Sequence, residues 1–159
     1  MANGPGAKLA VEPLGKRMDV EGIISTGFCG GLDPALQVGD IVREIHTIDR
    51  VAVTAAEKRE LRERTGAAAV DMESSALAEK AREWGVPFHV IRAVSDRADE
   101  DMPLDFNMYR GSDGRFSISR IALAALARPF SRVPALLRLD RNCRIAARSL
   151  GDYFAHCRL

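Results

Sequence analysis

The stretch AAAVDMESSALAEKAREWGVPFHVIRAVSD (67–96) decides the fold. A short apolar run, AAAVDM (67–72), gives way to ESSALAEKAREW (73–84), where Leu77, Ala81 and Trp84 recur at helical spacing. Gly85 and Pro87 stop that helix, and FHVIRAVSD (88–96) returns as a strand, apolar until it meets Ser95 and Asp96. Strand, helix and strand at this pace predict an α/β domain with a mainly parallel central sheet.

Working outward, EGIISTG (21–27) reads as a buried strand that stops at glycine, and FCGGLDPAL as the glycine-rich loop after it. GDIVREI (39–45) predicts another strand, and Val51-Ala52-Val53 a weaker one. Thr54 and Glu57 have the spacing of a capping box, in which the hydroxyl takes a backbone N–H and the carboxylate reaches back. The helix they open is expected to end near Thr65-Gly66. Upstream, Gly4-Pro5-Gly6 precedes a short helical stretch over Ala7 to Arg17. Beyond Gly114 the pattern is helical to the end, with breaks expected at Pro129 and Pro134. Residues 1–159 read as a single domain without repeats.

Composition excludes some classes. The chain is 47% hydrophobic and 28% charged, which is ordinary for a globular domain. Its apolar runs are all interrupted before the roughly 18 residues that a membrane span needs. The opening MANGPGAKLA has no apolar signal core, and Cys29, Cys143 and Cys157 are an odd set without metal-like spacing. A cytoplasmic protein with reduced thiols, no cofactor and no metal is expected. The net charge of +1 hides a split. Residues 110–159 hold ten arginines against Asp113, Asp140 and Asp152, while residues 1–109 hold 13 basic and 19 acidic side chains.

Three strand ends carry polar or glycine-rich chemistry: STGFCGG, VDMES and VSDRAD. In open α/β sheets ligands bind at the carboxyl ends of strands, so these loops are expected around one pocket. Each motif alone has a plainer meaning. Glu73 suits the first turn of a helix, Asp96 and Ser95 suit a turn, and Met72 and Phe28 suit a core.

Together the three motifs resemble the purine nucleoside phosphorylase and nucleosidase superfamily. STGFCGGLDPALQVGDIV looks like that family's strand-loop-strand, AVDMESSALA like its ribose-binding signature, and VSDRADED like its catalytic loop. GFCGGLDP and the tail, from LDFNMYRGSDGRF through ARPFSRVPALLRL to RIAARSL, are most similar to the hopanoid-associated branch. The resemblance implies a three-layer phosphorylase/hydrolase-like sandwich with a helical C-terminal region. It also implies cleavage of the N-ribosidic bond of a purine nucleoside. Asp96 would supply or share a proton at a nitrogen of the purine's five-membered ring, which near neutral pH needs a desolvated carboxyl. Glu73 would accept hydrogen bonds from ribose hydroxyls as positive charge develops on the sugar. Met72 would pack on the ribose, Phe28, Cys29 and Gly30 would border the base and anomeric carbon, and Ser95 would orient Asp96. Asp71 reads as structural.

The chain departs from the family pattern in three places. It begins after the usual first strand, with only Gly4 and Gly6 left to present backbone N–H groups to phosphate. A middle block after GDIVREI is short. Phe28 stands where related enzymes often carry serine, and phenylalanine cannot hydrogen-bond phosphate or water. The reading ranked first is removal of adenine from an adenosyl-hopane-like substrate, by phosphorolysis with inorganic phosphate as co-substrate or by hydrolysis. A methylthioadenosine- or adenosylhomocysteine-type nucleosidase comes second. A shortened homologue that binds a nucleoside without turnover stays open. The resemblance implies a homo-oligomer, and no nucleic-acid partner is expected. The arginine-rich tail interleaves apolar residues with arginines, a pattern that packs on the sheet or lies on a membrane surface.

Overall fold

The computed structural model describes residues 20–111 and 115–157. Gly4, Gly6 and the helical stretch expected over 7–17 lie outside them.

The centre of the fold is strand β1 (Ile23–Gly31). Along nearly its whole length it pairs in parallel with β5 (Phe88–Asp96), from Ile23↔Phe88 to Gly30↔Asp96, with a register shift between Cys29 and Gly30. The run from Ile91 to Asp96 is buried without a break, as a strand covered on both faces must be. On the outer side of β5 lies β2 (Ile41–Val42), and on the far side of β1 lie β4 (Ala69–Asp71) and then β3 (His46–Thr47). The sheet order is β2-β5-β1-β4-β3. Four helices complete the described chain: α1 (Ala55–Thr65), α2 (Ser74–Trp84), α3 (Ile118–Leu126) and α4 (Pro129–His156). A 3-10 turn at Phe106–Tyr109 precedes α3.

The α/β architecture and the helical C-terminal region are as expected, but the sheet is mixed. β1–β5 and β3–β4 are parallel, whereas β1–β4 and β2–β5 are antiparallel. The two strands of 67–96 therefore flank β1 from opposite sides and run in opposite directions. Hydropathy reports that a segment is a buried strand; it carries no information on direction.

Other boundaries moved for local reasons. FCGG continues β1 because Gly30 and Gly31 find partners on both sides, Val70 and Ala69 of β4 and the end of β5. GDIVREI keeps only two strand residues, and His46–Thr47 supplies the edge strand in place of 51–53. Half of the capping box forms as expected, with Thr54 Oγ1 accepting the Glu57 N–H at 3.1 Å, while Glu57 reaches one residue past the cap and accepts the N–H of Val53 at 2.7 Å. Gly66 and Gly85 stop α1 and α2 in the left-handed conformation, with φ of 70° and 65°. Pro129 starts α4, yet Pro134 lies inside it. Proline there removes one bond, to the Phe130 carbonyl near the helix start. Both residues are exposed, so water can satisfy that carbonyl.

Two apolar clusters hold the site from below. Cys29, Val42, Ala69 and Val94 pack together under Leu36 and Ile45, and Leu32, Ala52, Leu61 and Val70 pack with Ile48 and Ala67. Each cluster takes residues from several elements, so each fixes a strand end against a neighbouring loop or helix.

Candidate active site

The ends of β1 and β5 and the turn after β4 enclose a cavity of about 310 Å³. Its wall includes Phe28, Cys29 and Gly30 of β1, Met72 and Glu73 from the turn, and Ser95 and Asp96 of β5. Seven residues singled out in the sequence thus share one cavity. β4 arrives from the direction opposite to β1 and β5, so Met72 and Glu73 reach the cavity beside β1 rather than as a third parallel strand end.

Asp96 is buried and doubly bonded. Ser95 Oγ donates to its Oδ1 at 2.9 Å, and Lys58 Nζ donates to its Oδ2 at 2.6 Å. Lys58 also donates to the carbonyl oxygens of Arg97 at 2.7 Å and Glu100 at 3.0 Å, which uses all three ammonium hydrogens. Helix α1, opened by the Thr54 capping box, carries the lysine to this point. Close approach of β1 and β5 needs a glycine: a Cβ on Gly30 would sit 3.2 Å from Asp96 Oδ2 and 3.4 Å from Val70 Cγ1.

A second polar cluster lies beneath Glu73. The buried Arg92 Nη2 is 2.7 Å from Asp71 Oδ2, 2.8 Å from Ser25 Oγ and 3.5 Å from Glu73 Oε2. Asp71 further accepts the Thr47 hydroxyl at 2.8 Å and both the N–H and the hydroxyl of Ser74, at 3.1 and 2.5 Å. It thereby ties β3, β4, α2 and β5 together, the structural role the sequence suggested. Gly27 makes room for the guanidinium; its φ is 138°, and a Cβ there would lie 2.8 Å from Arg92 Nη1.

Glu73 is the N-cap of α2 and makes no side-chain capping bond. Its carboxyl stands at the cavity wall above Arg92. Burial raises its pKa above the ordinary glutamate value, and Arg92 opposes that rise. Cys29 is buried, and burial together with the Asp96 charge pushes its thiol up to about 12. It is a small, buried wall residue. Phe28 is 40% exposed, so it is a wall residue and not the core side chain its type suggested.

Sequence reasoning missed Lys58 and Arg92. Lys58 sits among the charges of AEKRELRER, where nothing marks one lysine as buried. Arg92 did leave a signal, an arginine inside the apolar run HVIRAV, and a charge in a covered strand needs a partner.

Apolar side chains, an ion-paired carboxylate and a second carboxylate over a buried guanidinium thus line one cavity. Residues 45–127, just over half of the chain, match the model of the phosphorylase superfamily. The chain is 31% identical over 117 residues to a 5′-methylthioadenosine/S-adenosylhomocysteine nucleosidase of Shewanella baltica, covering 74% of this chain and 41% of that one. A nucleosidase with the same description from Shewanella halifaxensis is 33% identical over 111 residues, covering 70% and 40%. The chain therefore spans about two fifths of the length of these relatives. Among solved structures, the Helicobacter pylori 5′-methylthioadenosine/S-adenosylhomocysteine nucleosidase with butyl-thio-DADMe-Immucillin-A superposes with a TM-score of 0.59. That likeness is at 15% identity and covers 95% of this chain and 75% of the other. The futalosine hydrolase of Helicobacter pylori gives 0.54 at 17% identity, covering 95% and 73%. By the family match, this chain belongs to the phosphorylase superfamily.

Proposed function

We propose that the chain cleaves the N-ribosidic bond of an adenine nucleoside. The observation that carries this reading is the convergence of Asp96, Glu73, Met72, Phe28 and Gly30 on one cavity of about 310 Å³. In the proposed reaction the bond from the anomeric carbon to the purine breaks, and its electron pair leaves with the base. Asp96, held by Ser95 and Lys58, passes to the departing base the proton that the attacking water or phosphate gives up as its oxygen bonds to the anomeric carbon. Glu73 accepts the ribose hydroxyls while the sugar becomes cationic. Water or inorganic phosphate supplies the oxygen that closes the anomeric carbon, and no cofactor enters.

Hydrolysis of methylthioadenosine or adenosylhomocysteine is the preferred form, because the curated relatives are described as nucleosidases of these substrates. Phe28 supports this form, because it offers neither donor nor charge to phosphate, whereas Arg50, which also lines the cavity, is the group that a phosphate would have to use. A bulkier adenine nucleoside of the adenosyl-hopane kind is the second reading. Ile48, Val51 and Met102 support it, because they add apolar wall beyond the residues assigned to the base and the ribose.

The test incubates the purified protein with methylthioadenosine, adenosylhomocysteine and inosine, with and without phosphate, and measures free base. Adenine released without phosphate supports the hydrolase, and adenine released only with phosphate supports a phosphorylase. Tight binding without release makes the chain a nucleoside-binding homologue. The absence of both release and binding would overturn the reading. Light scattering on the same preparation tests the homo-oligomer that the family resemblance implies.

A further inference from the structure

We propose that helix α3 and the first half of α4 form a docking surface for an anionic lipid bilayer. In α3, ISRIALAAL, seven of nine residues are apolar, yet among them only Ala125 is buried. A helix that is apolar almost all round belongs in an interior or in lipid. Ile118 is 81% exposed and Phe130, just beyond α3, is 97% exposed. Leu123, Leu126 and Leu137 are also large, apolar and exposed.

The charge around these residues selects the partner. From Phe116 to Leu139 there are four arginines, Arg120, Arg128, Arg132 and Arg138, and no acidic residue. Arg132 is committed within the fold, donating to the Ala124 carbonyl at 2.7 Å and so bracing α3 against α4. Arg138 is 57% exposed and makes a long ion pair with Glu100, Nε to Oε1 4.0 Å. Arg120 and Arg128 are exposed, with Arg120 over the Tyr109 ring. A surface that offers large apolar side chains among arginines matches the boundary between acyl chains and anionic headgroups.

Other occupants fit less well. A second copy docking the same face on itself would set arginines against arginines. Residues 1–19 bring Lys8, Lys16 and Arg17 against Glu12 and Asp19, so they do not complement the charge either. Among the described residues no helix is long and apolar enough to cross a membrane, so the surface would rest on the bilayer. This inference does not depend on the proposed reaction.

The experiment is co-sedimentation of the whole chain with vesicles of phosphatidylcholine alone and of phosphatidylcholine with phosphatidylglycerol. Binding is expected only to the anionic vesicles and is expected to fall as salt rises. Replacing Arg120, Arg128 and Arg138 together by glutamine is expected to weaken it by roughly 100-fold, about fivefold for each arginine. Phe130→Ser should also weaken it while the circular dichroism spectrum stays unchanged, because Phe130 makes almost no contact in the fold. Protein that stays in the supernatant at low salt overturns the proposal. So does equal binding to both kinds of vesicle, or self-association that Phe130→Ser abolishes in the absence of vesicle binding.

Discussion

Lys58 and Asp96 form an ion pair inside the cavity wall: Nζ is 2.6 Å from Oδ2, with 1% and 7% of the two side chains exposed. Neither group can be removed alone without stranding the other away from water. Lys58→Met is therefore expected to destabilise the fold by about 3–5 kcal/mol, the usual cost of an orphaned buried charge. Lys58→Met combined with Asp96→Asn should recover much of that loss. Urea unfolding reads both variants, and a single-variant loss below about 1 kcal/mol would show that water reaches the carboxylate freely.

The same pair changes what Asp96→Asn reports. Read from the sequence as a proton donor alone, Asp96 implies a variant whose stability moves little, but the amide leaves the buried Lys58 charge without its counter-ion. Two effects are expected: base release falls by roughly 100-fold or more, and the melting temperature falls as well. Assays belong below the melting point of the variant. Full activity of the folded Asp96→Asn protein would remove the residue from the reaction.

Much of this site was legible before the fold was known, and the reasons are particular. Met72, Glu73 and Asp96 lie at or beside strand ends, and strand ends are visible as places where apolar runs meet polar residues. Partners that arrive from elsewhere left weaker marks. Lys58 is buried only because α1 is laid against the loop after β5, and the sequence of α1 records its cap and its stop but not its neighbour. The direction of β4 is set by tertiary pairing with Gly30 and Gly31, and no period in AAAVDM encodes it. Pro134 shows the reverse error, a strong local rule made cheap by solvent.

Gly30→Ala tests the close approach of β1 to Asp96. The new methyl would sit 3.2 Å from Oδ2 and 3.4 Å from Val70 Cγ1, so the carboxylate or the strand must shift. A loss of about 1–3 kcal/mol is expected, with a larger effect on turnover than on substrate binding. Parent-like stability and kinetics in this variant would mean that β1 and β5 have slack at their ends.

Cys29 should be chemically silent. Its thiol, pushed up to about 12 by burial, holds almost no thiolate near neutral pH. Iodoacetamide on the folded protein is expected to label Cys143 and Cys157, which are partly exposed, well before Cys29. Peptide mapping by mass spectrometry gives the order, and prompt labelling of Cys29 would contradict its burial.

Glu73 carries the prediction that separates a ribose ligand from a helix-start residue. Its carboxyl is raised above the ordinary value of 4.5, chiefly by burial, with the nearby Arg92 pulling the other way. A raised carboxyl holds its proton more tightly in the folded state, so its contribution to stability is complete in acid and is lost as pH rises through the folded value. The melting temperature of the parent, measured against Glu73→Gln, should accordingly be most favourable to the parent below about 4.5 and decline as pH rises through the raised value. Catalysis should move in the opposite sense. At neutral pH the charged carboxylate makes hydrogen bonds to the ribose worth about 1.5–3 kcal/mol, which the amide cannot match. A 2′-deoxynucleoside should therefore be a much poorer substrate than its ribonucleoside for the parent, and the gap should shrink by roughly tenfold or more in Glu73→Gln. Equal discrimination in parent and variant, together with an unchanged melting profile, would reduce Glu73 to the residue that merely begins α2.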